Sequence, residues 1–116
     1  MLGIDNINDY YDPKLKQARL NKLKPYKNFT FEKVDISDRK TLSQSFNSFK
    51  PQKVVNLAAQ AGVRYSLENP YSYMASNLVG FLNIIELCRH GNVEGFIYAS
   101  SSSVYGSNEK TPFSVE

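Results

Sequence analysis

The chain has 116 residues, of which 41% are hydrophobic, and a formal net charge of +3 at pH 7. This allows one modest domain with a packed core and argues against disorder. Cys88 is the single cysteine, which excludes an intrachain disulfide and a cysteine-based zinc site and fits a reducing, cytoplasmic setting, while the lack of a leader or a membrane-length apolar run gives no reason to expect a membrane partner.

Leu2-Gly3-Ile4-Asp5 predicts a short strand, followed by a polar loop to Asp9. Asp12-Pro13 reads as an N-cap with proline at the first helical position. That helix should run to Lys24, where Pro25 stops it, with Leu15, Ala18 and Leu23 on its buried side. Lys14, Lys16, Arg19, Lys22, Lys24 and Lys27 carry most of the positive excess. No aromatic is interleaved through Lys14–Lys24 to stack bases, so the run reads as a solvated helix face and no nucleic-acid partner is expected.

Phe29 to Val34 predicts a second strand, rich in aromatic and β-branched residues and ending in Asp35. Ser37 can cap the next helix, which places Leu42, Ser45, Phe46 and Phe49 at helical spacing before Pro51. Lys53 to Leu57 predicts a third strand that runs into the small residues of Ala58–Gly62. Asn69-Pro70 opens a long helix with Met74, Leu78, Phe81, Ile85 and Cys88 in one stripe, widened by Leu82, Ile84 and Leu87. A helix so apolar should be buried on more than one side, and Gly91 should cap it. The fourth strand starts at Gly95 and breaks into Ser100–Ser103, and a polar, turn-like tail follows from Ser107 to Glu116.

The order β-α-β-α-β-α-β predicts an α/β fold: a parallel sheet of about four strands flanked by helices. Parallel strands present their carboxyl ends on one edge, where ligands bind in open α/β sheets. Asp5, Asp35, the Ala58–Gly62 run and the serines should therefore share one crevice.

Taken alone, each tip has two or more readings. Asp5 can accept hydrogen bonds from a ribose diol or can simply make a turn. No arginine follows it directly, which disfavours a ligand with a 2′-phosphate. Asp35 can meet an adenine amine or cap a turn. Small residues at 58–62 permit close backbone approach of a flat cofactor, or tight helix–strand packing. The serines can be a loop, a nucleophile site with His90, or hydroxyls that orient a sugar.

Four stretches together settle on a family. Gly3-Ile4-Asp5-Asn6-Ile7-Asn8-Asp9-Tyr10-Tyr11-Asp12, Asn56-Leu57-Ala58-Ala59-Gln60-Ala61-Gly62-Val63-Arg64-Tyr65-Ser66, Asn77-Leu78-Val79-Gly80-Phe81-Leu82-Asn83 and Ser100-Ser101-Ser102-Ser103-Val104-Tyr105-Gly106 resemble, in order, the NAD-dependent epimerase/dehydratase family of extended short-chain dehydrogenase/reductases. The resemblance is to its UDP-glucuronate 4-epimerase group. It implies a partial Rossmann-like domain over 1–116, NAD as cofactor and a UDP-sugar as substrate. By resemblance Asp5 and Asn6 meet the adenosine ribose, and Asp35 and Ile36 meet the adenine. Ala58 and Ala59 lie along the cofactor, and Asn77 sits near the nicotinamide. Ser101 corresponds to the catalytic hydroxyl at the sugar's 4-position. Ser102 and Ser103 help hold the sugar carboxylate, with Arg64 a further substrate-side candidate. No metal site is implied. Related 4,6-dehydratases carry Asp-Glu where this chain has Ser102-Ser103, so dehydration is not expected.

The chain departs from the family's pattern at both ends. No glycine-rich turn precedes Asp5, and no Tyr-x-x-x-Lys base follows the serines; Tyr10 and Lys14 have that spacing, but Pro13 intervenes and the match is put down to chance. The expectation is an internal fragment, inactive alone, whose unpaired strand edges and apolar 70–89 helix favour a homo-oligomer. The alternative is a non-catalytic, self-associating structural module.

Overall fold

The computed structural model describes residues 1–109 and 111–114. The polar tail expected over 107–116 falls partly on Lys110, Val115 and Glu116, which lie outside the described residues. Four short strands are present among the described residues: β1 Leu2–Asp5, β2 Thr30–Lys33, β3 Lys53–Asn56 and β4 Gly95–Tyr98. Between them lie α1 Pro13–Leu23, α2 Arg39–Phe49, the single turns α3 Tyr65–Glu68 and α4 Pro70–Tyr73, a π-helical segment Met74–Gly80, and α5 Phe81–His90. A 3₁₀ turn, Ser102–Tyr105, follows β4. No helix among the described residues is long and apolar enough to cross a membrane.

The α/β class and the parallel pairing are as expected, but the four strands form two sheets. β1 pairs with β2, from Leu2 opposite Thr30 to Asp5 opposite Lys33. β3 pairs with β4, from Lys53 opposite Gly95 to Asn56 opposite Tyr98. β1 and β3 share no ladder, and the two pairs meet through side chains instead. Ile4 of β1, Val54 of β3 and Phe96 of β4 pack on one cluster of Val34, Ile36, Leu42 and Ile84. Strand alternation sends Val54 and Phe96 inward, and Val55 and Ile97 outward, where they are 60% and 66% exposed. Helices α2 and α5 cover the inner face, so the molecule buries one face of its sheets.

Local chemistry explains where the helices begin. Asp12 Oδ1 accepts from Lys14 N at 2.9 Å and caps α1. Asp38, rather than Ser37, caps α2 by accepting from Lys40 N and Thr41 N. Ser37 is drawn back to Asp35 Oδ1 by both its amide and its hydroxyl, at 2.9 and 2.7 Å. Asn69 caps α4 through Ser72 N, as the Asn-Pro signal predicts. The helix it opens then widens to π geometry at Met74–Gly80, a departure that proteins place at sites under local demand. A Cβ on Gly80 would stand 2.5 Å from Ile36 Cγ1, so only glycine lets the helix pass this near to the tip of β2.

Two burial expectations are corrected. The 70–90 helix is buried on one side only: Ile84 is buried, whereas Tyr71, Met74, Leu78 and Leu82 form an exposed apolar stripe. On α1, Leu15 and Leu23 are exposed and the buried residue is Lys16. The first half of α1 returns over the tip of β1, and this turns Lys16 toward the strand end. Cys88 is half-buried beside the core, and burial pushes its thiol up from the ordinary value, so it serves packing.

Candidate functional site

A cleft of about 220 Å³ lies at the carboxyl ends of β1, β2 and β3, with Asp5, Asn6, Asp35, Ile36, Ala58 and Ala59 on its walls. Six of the residues expected at a cofactor site therefore converge, although they come from two different sheets. The volume is below the roughly 300–1,000 Å³ of a cleft for a drug-sized ligand and suits a single nucleoside.

Asp5 closes β1. Its Oδ1 accepts from Ile7 N at 2.6 Å, and its Oδ2 has no hydrogen-bond partner among the described residues. Beside it stands Lys16, only 8% exposed, with Nζ 3.9 Å from Asp5 Oδ1. Lys16 donates to Asn8 Oδ1 at 2.7 Å and lies 4.6 Å from the centroid of the Tyr11 ring. Sequence reasoning placed this lysine on a solvated face. The available signal was position: the helix after a strand begins at that strand's tip, and Lys16 is one turn into it.

Asn6 laces the two strand tips together. Its Nδ2 donates to Asp35 Oδ2 at 2.9 Å, and its Oδ1 accepts from Asn8 N at 3.1 Å. Burial alone would raise the Asp35 carboxyl, but hydrogen bonds from Asn6 and from the Ser37 hydroxyl and amide outweigh it and hold the group below its ordinary value. It is a carboxylate at neutral pH. The next residue, Ile36, is fixed by its carbonyl, which accepts from Asn83 Nδ2 at 2.9 Å, while its N–H makes no hydrogen bond among the described residues.

The Ala58–Gly62 backbone is held from three sides. Asn56 Oδ1 accepts from Ala58 N at 3.1 Å. Asn77, on the π-helical segment, clasps Gln60: its Oδ1 accepts from Gln60 N at 2.8 Å and its Nδ2 donates to Gln60 O at 3.0 Å. Tyr10 and Tyr73 both donate to Ala61 O at 2.9 Å, and Tyr73 also reaches Gly62 O. Desolvation, then the neighbouring Tyr10, push the Tyr73 hydroxyl up, so it stays a donor. Gly62 has φ +95°, and a Cβ there would sit 2.5 Å from the Tyr10 hydroxyl; both facts require glycine.

Other expected residues lie away from the cleft walls. Asn77 reaches the site only through Gln60. Arg64 is exposed just before α3. Ser101 caps the 3₁₀ turn, accepting from Ser103 N at 3.2 Å and donating to Ser103 Oγ at 3.1 Å; Ser101, Ser102 and Ser103 are all exposed. His90 pairs with Glu86 and Arg89 on the helix surface, so no serine–histidine pair forms. The cleft thus offers a carboxylate oxygen open to solvent, a buried ammonium, the backbone N–H of Ile36 and a wall of small side chains. These groups suit a ligand with a hydroxylated ring and a flat base.

A family model described as GDP-mannose 4,6 dehydratase matches residues 3–116. The chain is 55% identical over 114 residues to protein CapI of Staphylococcus aureus, covering 98% of this chain and 34% of that protein. It is 50% identical over 115 residues to UDP-glucuronate 4-epimerase 1 of Arabidopsis thaliana, covering 98% and 27%. The solved structure of UDP-glucuronic acid 4-epimerase from Bacillus cereus, in complex with UDP-glucuronic acid and NAD, superposes with a TM-score of 0.80 at 30% identity, over 94% of this chain and 34% of that one. The UDP-Glc/GlcNAc 4-epimerase of Campylobacter jejuni superposes with a TM-score of 0.78 at 28% identity, over 94% and 32%. The chain spans about a third of the length of such relatives.

Proposed function

The chain belongs to the GDP-mannose 4,6 dehydratase family, and from that membership we propose that it is the cofactor-side portion of an NAD-dependent UDP-glucuronate 4-epimerase. The observation that carries this reading is the convergence of three parallel strand tips on one nucleoside-sized cleft. The named relatives point the same way: one is a UDP-glucuronate 4-epimerase, and the B. cereus structure holds UDP-glucuronic acid and NAD.

The residues present fit the adenosine end of that cofactor. Asp5 offers Oδ2 to ribose hydroxyls. Asp35 and the free Ile36 N–H offer an acceptor and a donor to the adenine edge. Ala58 and Ala59 leave the backbone open to close approach. Asn6 and Asn77 act by position: Asn6 fixes Asp35, and Asn77 fixes the Gln60 backbone. On the substrate side Ser101 takes the sugar 4-hydroxyl, and Ser102, Ser103 and Arg64 take the carboxylate. The bound nicotinamide supplies a reversible hydride acceptor, which makes the epimerisation redox-neutral over a cycle. Most of a dinucleotide's contacts lie outside this cleft, so the chain alone binds weakly and does not turn over.

Self-association, as a homo-oligomer, is the second part of the reading. The exposed stripe of Tyr71, Met74, Leu78 and Leu82 and the free edges of two two-stranded sheets favour it. Calorimetry with NAD⁺ and with UDP-glucuronate tests the function. Weak heat with NAD⁺, in the millimolar range, and none with the sugar nucleotide is the expected pattern, since most of a dinucleotide's contacts are not in this cleft. No heat with NAD⁺ at any soluble concentration leaves the self-associating structural module as the reading that stands. Epimerisation by the chain alone refutes the claim of inactivity.

A further inference from the structure

Tyr10 ties the two walls of the cleft together. One wall is the segment after β1, which contributes Asn6, Asn8, Tyr10 and Tyr11; the other is the segment after β3, which contributes Leu57, Ala58, Ala59 and Gln60. The first segment is fixed at its root, where Asn6 donates to Asp35 Oδ2 at 2.9 Å, and at Asn8, which accepts from Lys16. Beyond Asn8, the Tyr10 hydroxyl donates to Ala61 O on the opposite segment at 2.9 Å, across 51 residues of sequence. The Tyr10 ring leans on Tyr65, with centroids 4.9 Å apart.

Ala61 O is contested. Tyr73 also donates to it at 2.9 Å and Gln60 Nε2 at 3.2 Å, and the same Tyr73 hydroxyl reaches Gly62 O. A phenol has one proton to give, and a carbonyl has two lone pairs. When Tyr73 gives its proton to Gly62 O, Ala61 O has room for both Tyr10 and Gln60. When Tyr73 gives it to Ala61 O, three donors meet two lone pairs. Tyr10 is the donor with an alternative: it is 43% exposed and can turn its hydroxyl to water at little cost, whereas Gln60 is 8% exposed. We propose that Tyr10 is a releasable tie between the cleft walls, and that the Tyr73 proton, moving between Gly62 O and Ala61 O, sets whether the tie is held. Held, it keeps the walls together. Released, it frees Asp9–Tyr11 to swing away and admit a ligand, a local opening of the low-cost kind that binding loops use. Tyr10 is thus a positioning residue that governs entry and adds little affinity. The entry half of the proposal rests on the reading of the cleft as a nucleoside seat; the tie itself does not.

The test is NMR on the isotopically labelled chain and on two variants that each remove one hydroxyl and keep the ring, Tyr10→Phe and Tyr73→Phe. Without ligand, relaxation dispersion at the amides of Asp9, Tyr10 and Tyr11 should reveal a minor open state in the unaltered chain. Tyr10→Phe should raise its population about fivefold, the worth of one neutral hydrogen bond. Tyr73→Phe removes the competitor for Ala61 O and should lower it. With adenosine 5′-monophosphate as the probe, line shapes should show association and dissociation both quickened about fivefold in Tyr10→Phe, with the dissociation constant changed less than twofold. A side chain that merely held the ligand would change dissociation alone. Flat dispersion in all three proteins, or an open population that Tyr73→Phe raises as much as Tyr10→Phe does, overturns the switch. Probe-induced shifts with unaltered rates in Tyr10→Phe overturn the control of entry and leave the nucleoside seat standing. No probe-induced shift at Ile36 or Asp5 overturns the seat and the entry claim together, and the ligand-free dispersion still decides the tie. If Tyr73→Phe does not fold, an unchanged open population in Tyr10→Phe is enough to overturn the tie.

Discussion

Replacing Asn77 tests how the Ala58–Gly62 backbone is held. Asn77→Ala deletes two hydrogen bonds, at 2.8 and 3.0 Å, and strands the N–H and carbonyl of Gln60, a residue only 8% exposed. Each lost bond is worth about 1 kcal/mol, and a stranded buried group adds its own desolvation cost, so the total is about 3 kcal/mol. For a domain of this size that lowers Tm by roughly 10 °C. Asn77→Asp separates the two bonds. The new carboxylate still accepts from Gln60 N, but its second oxygen faces the Gln60 carbonyl, and only protonation supplies a donor there. Its folded pKa is therefore raised above the unfolded value. The stability this variant recovers is present at low pH and is lost as pH rises through the folded pKa. Urea unfolding followed by circular dichroism, at neutral pH and near pH 3, measures both effects. A cost below about 0.5 kcal/mol for Asn77→Ala, or an Asn77→Asp variant equally weakened at both pH values, refutes the clasp.

Leu42 is 3% exposed at the centre of a thin core, so Leu42→Ala should cost about 3 kcal/mol in the same urea assay. Gly62→Ala forces a side chain onto a backbone with φ +95° and into the Tyr10 hydroxyl; it should cost about 1–3 kcal/mol and speed hydrogen exchange in the 58–62 loop. Asp35 is held below its ordinary pKa, so its contribution is present above about pH 4 and is lost as pH falls through its folded value. Asn6→Ala removes one of its donors and should cost at most about 1 kcal/mol at pH 7, given the partial exposure of the site, with the difference from the unaltered chain vanishing at the acid end of a urea–pH series. Leu78→Asp on the exposed stripe should shift the sedimentation coefficient toward the monomer without lowering Tm, and an unchanged coefficient would place self-association elsewhere.

Element type was readable because the signals are local. Asp12-Pro13 and Asn69-Pro70 mark the helix starts that the structure shows, and the strand runs were right to within two residues. What escaped was decided by partners distant in sequence. Nothing in a four-residue strand states which neighbour it pairs with, so the division into two sheets was invisible. The glycine that closes the π-helical segment passes close to Ile36, a contact spanning 44 residues of sequence. Lys16 looked solvated because its neighbours on α1 are charged, and only the fold of α1 back over β1 buries it. At the site, the resemblance named strand tips that the structure brings to one cleft but could not show which polar groups were already occupied.

That division between occupied and unoccupied groups is what makes the cleft legible as a binding site. The two halves of the molecule share a small apolar cluster, and polar ties across the strand tips supplement it: Tyr10 to Ala61 and Asn83 to Ile36. Folding therefore uses side-chain amides and hydroxyls at the tips to hold the backbone there, in keeping with the rule that buried polar groups are paired. Asp5 Oδ2, two protons of Lys16 and the Ile36 N–H line the same cleft and have no partner among the described residues. A hydroxylated, base-bearing ligand could use an acceptor, a cation and a donor that lie together in this way.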